Sequence, residues 1–338
     1  MNLQGSICRP KFYSDTGFDV IRSWLKENCF CSLNQDFFSN LSPFNNLQAI
    51  KDSQIHSDEF LAAFQRKEPP PLDTIPDISL WLPSLEISGS QLKPENFQQL
   101  YRLLNLSSRI KKCLTKNNFP LWHIHSHNLL SSKAAQSEIE KVFDNDFQIK
   151  DNASPELMSL TQSLTKANGY IKEIMKNIFM RAKEKNWLEG DQIVLRNGRS
   201  VLPLKASQKR KVKGIVQDQS ATGQTAFVEP LEIIELNNQL TEIQFAITEE
   251  NYQILCELTA FFHPLFNEIQ ESFNILKYID KHFTIAKLAH YIKAIRPEIN
   301  NTSNIIIKRA VNPLFTLTNK DAVSLNLELQ DEKILLLS

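Results

Sequence analysis

Apolar side chains recur along this chain at two different periods, and the change between them divides it. Leu157, Leu160, Leu164, Ala167, Ile171, Ile174 and Ile178 are spaced alternately three and four apart, which is the a/d seam of a heptad helix. Ser154 ahead of Pro155 fits an N-cap followed by proline at the first helical position. Gly190 is placed to stop that helix. A second seam follows Pro230, through Ile233, Leu236, Leu240, Ile243 and Ile247. It resumes at Ile254, Leu258, Phe261 and Leu265, with Pro264 predicting a kink or break. Helical spacing then runs through Phe273, Leu276, Ile279 and Phe283 to about Ile295.

Between the seams the pattern becomes that of strands. Asp191–Arg196 and Arg199–Lys205 flank Asn197-Gly198, the dipeptide suited to a two-residue hairpin because both central residues need positive φ. Gly214–Gln219 and Thr225–Glu229 flank a turn around residues 221–224, and four of the eight glycines (190, 198, 214 and 223) lie in this stretch. The expectation is a small β unit of four strands carried between two antiparallel helices of ~45 Å each, at 1.5 Å per residue.

Residues 17–66 predict helices from Phe18, Ile21 and Leu25, from Phe37, Phe38 and Leu41, and from a less regular stripe over 47–64. Residues 68–83 hold five of the 15 prolines and predict an extended connection, since proline removes a donor and fixes φ. Leu92–Lys116 reads as a further helix. From residue 304 the pattern turns to strands at Ile305–Ile307, Val323–Leu329 and Ile334–Leu337. The fold class expected is mainly α, a helical core with a long antiparallel helical lever bearing a small antiparallel β clamp, and C-terminal strands that begin another domain. Its divisions are 1–150 for the helical core, 151–189 for the lever helix and 190–229 for the β clamp. The returning lever and core helices follow over 230–296, and 297–338 begins the last domain.

Composition narrows the function classes. Only eight glycines in 338 residues disfavour a many-stranded sandwich, and 42% hydrophobic residues argue against a largely disordered chain. Lys and Arg balance Asp and Glu at 38 each, so no whole-chain field directs the protein to polyanions. The five cysteines (8, 29, 31, 113 and 256) include no CxxC pair, which predicts reduced thiols rather than a zinc site or a disulfide framework. No apolar run reaches the ~18 residues of a spanning helix, and the N-terminus lacks the apolar core of a signal peptide. A cytoplasmic protein without membrane contact is expected.

One local charge feature stands out. Arg196, Arg199, Lys205, Lys209, Arg210, Lys211 and Lys213 fall within 18 residues that contain no acid. Such a patch suits phosphate. With no aromatic residue in the basic run, backbone contact blind to sequence is expected rather than base stacking. His123, His125 and His127 alternate and would share one side of a strand, as a metal site could use. The surrounding Trp122, Ile124, Leu129 and Leu130 instead predict a loop packed on helices, and no metal site is expected. No GxSxG, GxGxxG, HExxH or GxxxxGK pattern occurs, so no catalytic residues are assigned.

Residues 191–240 resemble the central region of the bacterial MutS-two family, the MutS branch without a mismatch-recognising domain. The family runs R-N-x-R-x-V-x-P-V-K, G-I-V-H-D-x-S-x-S-G-x-T-x-F-I-E-P and E-L-N-N are matched by Arg196–Lys205, Gly214–Pro230 and Glu235–Asn238. Gln217 stands where the family usually has His, and Asn312-Pro313 where it has His-Pro. Weaker similarity covers most of the chain, including Ile87–Leu92. The resemblance implies an ATPase that acts on branched or mismatched DNA in recombination suppression and repair, or on stalled ribosomes and their RNA in quality control. It also implies a homodimer for the full-length protein, with ATP and Mg as its cofactors. In the family a strand like Ile334–Ser338 leads into the phosphate-binding loop. The expectation is a chain cut before that loop and before the Smr endonuclease domain, with no cofactor of its own. The alternative is a structural coiled-coil module that docks a protein partner through its tip.

Overall fold

The computed structural model describes residues 10–44, 46–115, 119–299, 304–318 and 320–329. In chain order the helices are α1 (Pro10–Asp15), α2 (Phe18–Asn28), α3 (Ser32–Ser39), α4 (Leu47–Gln65), α5 (Pro94–Leu114), α6 (Pro120–Ser126), α7 (Lys133–Val142), α8 (Pro155–Glu184), α9 (Leu231–Phe262), α10 (Phe266–Tyr291) and α11 (Pro313–Leu317). The strands are β1 (Val194–Arg196), β2 (Arg199–Lys205), β3 (Gly214–Gln219), β4 (Thr225–Pro230), β5 (Ile305–Ala310) and β6 (Leu325–Leu329). The mainly helical class is as the apolar periods imply. The chain divides into two compact units, one of residues 1–87, 95–137 and 262–338 and one of residues 88–94 and 138–261.

In the first unit α10 packs along α4 and also meets α2 and α3. Phe38, Phe60 and Trp122 are fully buried, and Phe60 stacks on Trp122 with ring centroids 4.7 Å apart. Residues 68–81 contain no helix, and a 3₁₀ turn follows at Leu82–Glu86. Ile75 N donates to Phe30 O at 3.0 Å, which fixes this proline-rich stretch against the α2–α3 junction. Residues 120–126, expected as a loop, form α6. Pro120 sits at its first turn, and the Glu59 carboxylate accepts from Leu121 N (2.9 Å) and Trp122 N (3.3 Å). A carboxylate at a helix N-terminus both satisfies orphan donors and complements the dipole. β5 and β6 pair antiparallel, Ile305 opposite Leu329. The third strand expected, Ile334–Leu337, lies outside the described residues.

In the second unit the sheet order is β1-β2-β4-β3, antiparallel throughout. Asn197 and Gly198 have φ of 50° and 78°, the left-handed pair that a tight β1–β2 hairpin demands. One face of the sheet (Leu202, Leu204, Ala226, Val228) shares a core with Ala167, Ile171, Met175, Ile178 and Ala182 of α8 and with Ile233 and Leu240 of α9. The helices run antiparallel. α8 ends beside the sheet, from which α9 starts, while Ser154 at the other end of α8 donates to Glu250 of α9 at 2.6 Å. Ser154 is the N-cap, accepting from Leu157 N at 2.9 Å.

Three details of the seams differ from expectation. Deep burial on α8 moves from Ile174 to Met175, the drift of a 3.6-residue period away from a strict heptad. Phe262 rather than Phe261 is buried on α9, while the break expected at Pro264 is present as the 3₁₀ turn His263–Leu265 that follows α9. α8 stops before Gly190. Asn186 takes the left-handed conformation, and Trp187 N donates back to Ala182 O at 3.0 Å, the Schellman closure usually given to glycine.

Candidate nucleic-acid interface

The seven basic residues do not form one patch of equals. β2 leaves the sheet at Lys205, passes through a 3₁₀ turn at Ala206–Gln208 and reaches Lys209, Arg210, Lys211, Val212 and Lys213 before β3 begins. This loop is held at several points. Lys211 N donates to Gln208 O at 2.9 Å, and Leu231 N donates to Lys213 O at 3.0 Å. Val212 is 7% exposed and belongs to the core shared with α8 and α9. A buried valine inside a run of cations turns their side chains away from the core. Arg210, Lys211 and Lys213 are exposed and Lys209 is half-buried. Among the described residues no acid pairs with any of the four.

The other three cations are engaged. Lys205 Nζ donates to Asn186 Oδ1 at 3.0 Å, tying β2 to the end of α8. Arg196 lies 3.5 Å from Asp218 of β3 and places its guanidinium 4.4 Å from the Phe227 ring centroid. That ion pair is half-exposed, an arrangement that contributes little to stability. Arg199 has the most constrained position. Its Nη1 donates to Glu229 Oε1 and Oε2 at 3.0 and 3.3 Å, and its Nη2 to Asn238 Oδ1 at 2.7 Å. The apparent absence of acid between residues 196 and 213 is a property of the linear order. The sheet returns Asp218 and Glu229 to Arg196 and Arg199.

Glu229 is the residue that spacing alone does not reveal. It is 0% exposed and also accepts from Asn237 Nδ2 at 2.6 Å and from Gln217 Nε2. A buried carboxylate requires a counter-charge and hydrogen bonds. Here they come from β2, β3 and the first turns of α9. Gly214 explains itself in the same place, since a Cβ there would lie 2.1 Å from Glu229 O. The available signal was an acid at the end of an otherwise apolar strand, facing a chain segment rich in Asn.

The three histidines separate once they lie on α6 and its end. His123 and His127, one helical turn apart, meet edge to face at 4.8 Å. His125 turns into an aromatic group with His56, Trp122 and Tyr278, at centroid distances of 5.9, 5.4 and 5.6 Å. His282 joins the same group from α10, 5.4 Å from His56. Its Nδ1 lies 3.1 Å from Ser57 Oγ. Burial, then neighbouring His56 and Lys281, push its pKa down to about 4.

No family model matches the chain. Its sequence is 30% identical over 301 residues to the endonuclease MutS2 of Alkaliphilus oremlandii, a match covering 88% of this chain and 38% of that protein. Endonuclease MutS2 of Caldicellulosiruptor saccharolyticus is 31% identical over 300 residues, covering 88% and 38%. That of Clostridium botulinum is 27% identical over 319 residues, covering 93% and 40%. The chain is homologous to a part of MutS2, and it spans about two fifths of the length of the curated relatives it matches.

Proposed function

We propose that this chain is the nucleic-acid-binding core, lever and clamp portion of a MutS-type ATPase, and that the loop from Lys209 to Lys213 lies against a phosphate backbone. The observation that carries this reading is the set of four cations, Lys209, Arg210, Lys211 and Lys213, presented without acid partners among the described residues from a loop anchored by Val212. Anchoring lowers the entropy lost on contact, and point charges on phosphate hold a duplex without reading its sequence. The natural target is branched or mismatched DNA, or the RNA of a stalled ribosome. ATP and Mg are held outside this chain, whose sequence contains no GxxxxGK loop.

The test is a salt series on duplex DNA, branched DNA and structured RNA. Each phosphate neutralised on duplex contributes about −0.9 to the slope of log affinity against log salt. Replacing Lys209, Arg210, Lys211 and Lys213 together with Ala should weaken binding alike on all sequences and shrink that slope by about three units. Unchanged affinity and slope, with helical content intact, discard the reading. A second reading, docking of a protein partner at the same end, is favoured by Leu195, which is 68% exposed on edge strand β1. A salt-insensitive partner lost on Leu195→Asp would support it.

A further inference from the structure

Several supports of the basic loop meet at Glu229. The loop leaves β2, which carries Arg199, and enters β3, which carries Gln217; both side chains donate to the Glu229 carboxylate on β4. Asn237 of α9 donates to it as well, at 2.6 Å. The backbone closes the same arrangement. Gly214, the first residue after the loop, lies so close to Glu229 O that a Cβ there would come within 2.1 Å. Leu231, two residues beyond Glu229, holds Lys213 O at 3.0 Å.

These supports differ from ordinary core packing in one respect. An apolar contact is non-directional, whereas a carboxylate shared by a guanidinium and two amides fixes the angles between the groups that bind it. The two ends of the loop are thus set relative to each other, and both relative to the start of α9. We infer that Glu229, through Arg199, Gln217 and Asn237, is a positioning residue for the basic loop: it holds Lys209, Arg210, Lys211 and Lys213 in one arrangement so that they meet phosphates together. This rests on the reading of the loop as a phosphate-binding element. It assigns Arg199 a supporting part in that element rather than a phosphate contact.

The consequence is specific. Cations held in one arrangement engage neighbouring phosphates at once, and the salt slope counts them. Cations on a loosened loop keep their charge but engage fewer phosphates at a time. Loss of positioning therefore lowers the slope even though no basic residue has been removed.

The experiment uses the full chain with a 20-base-pair duplex as probe. It compares the parent, Glu229→Gln, Gln217→Ala, Gln217→His and the four-alanine loop variant, each checked for helical content and thermal midpoint. Hydrogen exchange of amides 206–214 is followed in parallel. Gln217→Ala is expected to weaken duplex binding ~5-fold, to reduce the slope by about one unit, and to speed exchange in the loop ~10-fold. Glu229→Gln should do the same or more. Gln217→His, which restores a donor opposite Glu229, should recover the slope. Parental slope and loop exchange in both Gln217→Ala and Glu229→Gln overturn the inference. So does weaker binding at an unchanged slope, because a merely structural role would lower the folded fraction without altering how many phosphates are met. If the parent shows no salt-dependent binding, the phosphate reading falls on its own, and the loop exchange alone decides whether Glu229 positions the loop.

Discussion

Among the described residues each unit buries one carboxylate completely, and the two are satisfied in different ways. Asp280 in the first unit accepts from Phe30 N (2.9 Å), Cys31 N (3.1 Å), Asn34 Nδ2 (2.7 Å) and Thr284 Oγ1 (3.3 Å), all neutral donors. Burial raises its pKa, and these hydrogen bonds pull it partly back. Glu229 in the second unit has a guanidinium as well as amides. Asp280 fastens the α2–α3 junction to α10 through two backbone N–H groups and the neutral side chains of Asn34 and Thr284. Glu229 depends on particular side chains from three elements. A carboxylate held by neutral donors has no counter-ion to lose. One held by an arginine makes its unit sensitive to the loss of a single partner.

The largest break in that comparison is removal of Arg199. Arg199→Met leaves a buried anion without its counter-ion and should cost about 3–5 kcal/mol, read by denaturant unfolding together with exchange at second-unit amides. Adding Glu229→Leu should recover much of the loss, since an apolar pair of similar volume is often as stable as a buried ion pair. If the double variant is no more stable than the single one, the Arg199 loss acts through packing and not through the buried charge.

Proton titration sharpens the other side. His282 has its folded pKa pushed from 6.5 to about 4, so the unfolded chain binds the extra proton first. Its contribution is full above pH 6.5 and is lost as the pH falls towards 4, a loss of about 3 kcal/mol. Asp280, with a raised folded pKa, works in the opposite direction: the folded state takes up its proton first, which stabilises it on acidification. His282→Gln should therefore flatten the fall in first-unit stability between pH 6.5 and 4, and Asp280→Asn should steepen it. Thermal midpoints across that range, with second-unit amides as reference, measure both. Identical slopes in the two variants would mean that neither group controls the acid limb.

Gly214→Ala gives the next effect down. Its Cβ would meet Glu229 O at 2.1 Å, and the backbone must move to admit it, at a cost of about 1–3 kcal/mol. The comparison places that cost in the second unit alone, so first-unit exchange should stay parental.

The two regions also differ in how much of them could be read from sequence. The lever helices and both hairpins follow from local pattern: the spacings of α8 and α9, the cap at Ser154, and Asn197-Gly198. Each is fixed by neighbours within a few residues. The helix α6 was hidden because the carboxylate that caps it, Glu59, lies 62 residues away from Leu121. The end of α8 falls short of Gly190 because Asn186, not a glycine, takes the left-handed conformation that closes it. At the candidate interface the basic residues were legible as a run, but their roles were not. Arg196 and Arg199 have partners that only strand pairing brings near, while Lys209 to Lys213 have none among the described residues. The MutS-like runs include Arg199, Gln217, Glu229, Asn237 and Asn238 without saying that they meet.

The smallest effect calibrates the comparison, because it leaves both buried carboxylates and their partners in place. α4 ends with Lys67 at φ 62°, and α8 with Asn186 at φ 55°. Both close the same motif, with Glu68 N donating to Ala63 O (2.9 Å) in one and Trp187 N to Ala182 O (3.0 Å) in the other. A side chain with a Cβ is strained in this conformation. Asn is strained less than Lys, and Gly hardly at all. Lys67→Gly should therefore stabilise the first unit by about 0.5–1 kcal/mol, and Asn186→Gly should move the second by only a few tenths. Asn186 also accepts from Lys205 Nζ at 3.0 Å, a bond that glycine deletes and that offsets part of any gain. The measurement is the denaturation midpoint of each variant, with exchange assigning the shift to its unit. Equal gains at both sites would show that the Lys205 bond contributes nothing and that side-chain type does not matter at these helix ends. A gain at Lys67 with none at Asn186 fits a Lys205–Asn186 bond that offsets the relief of strain in the second unit.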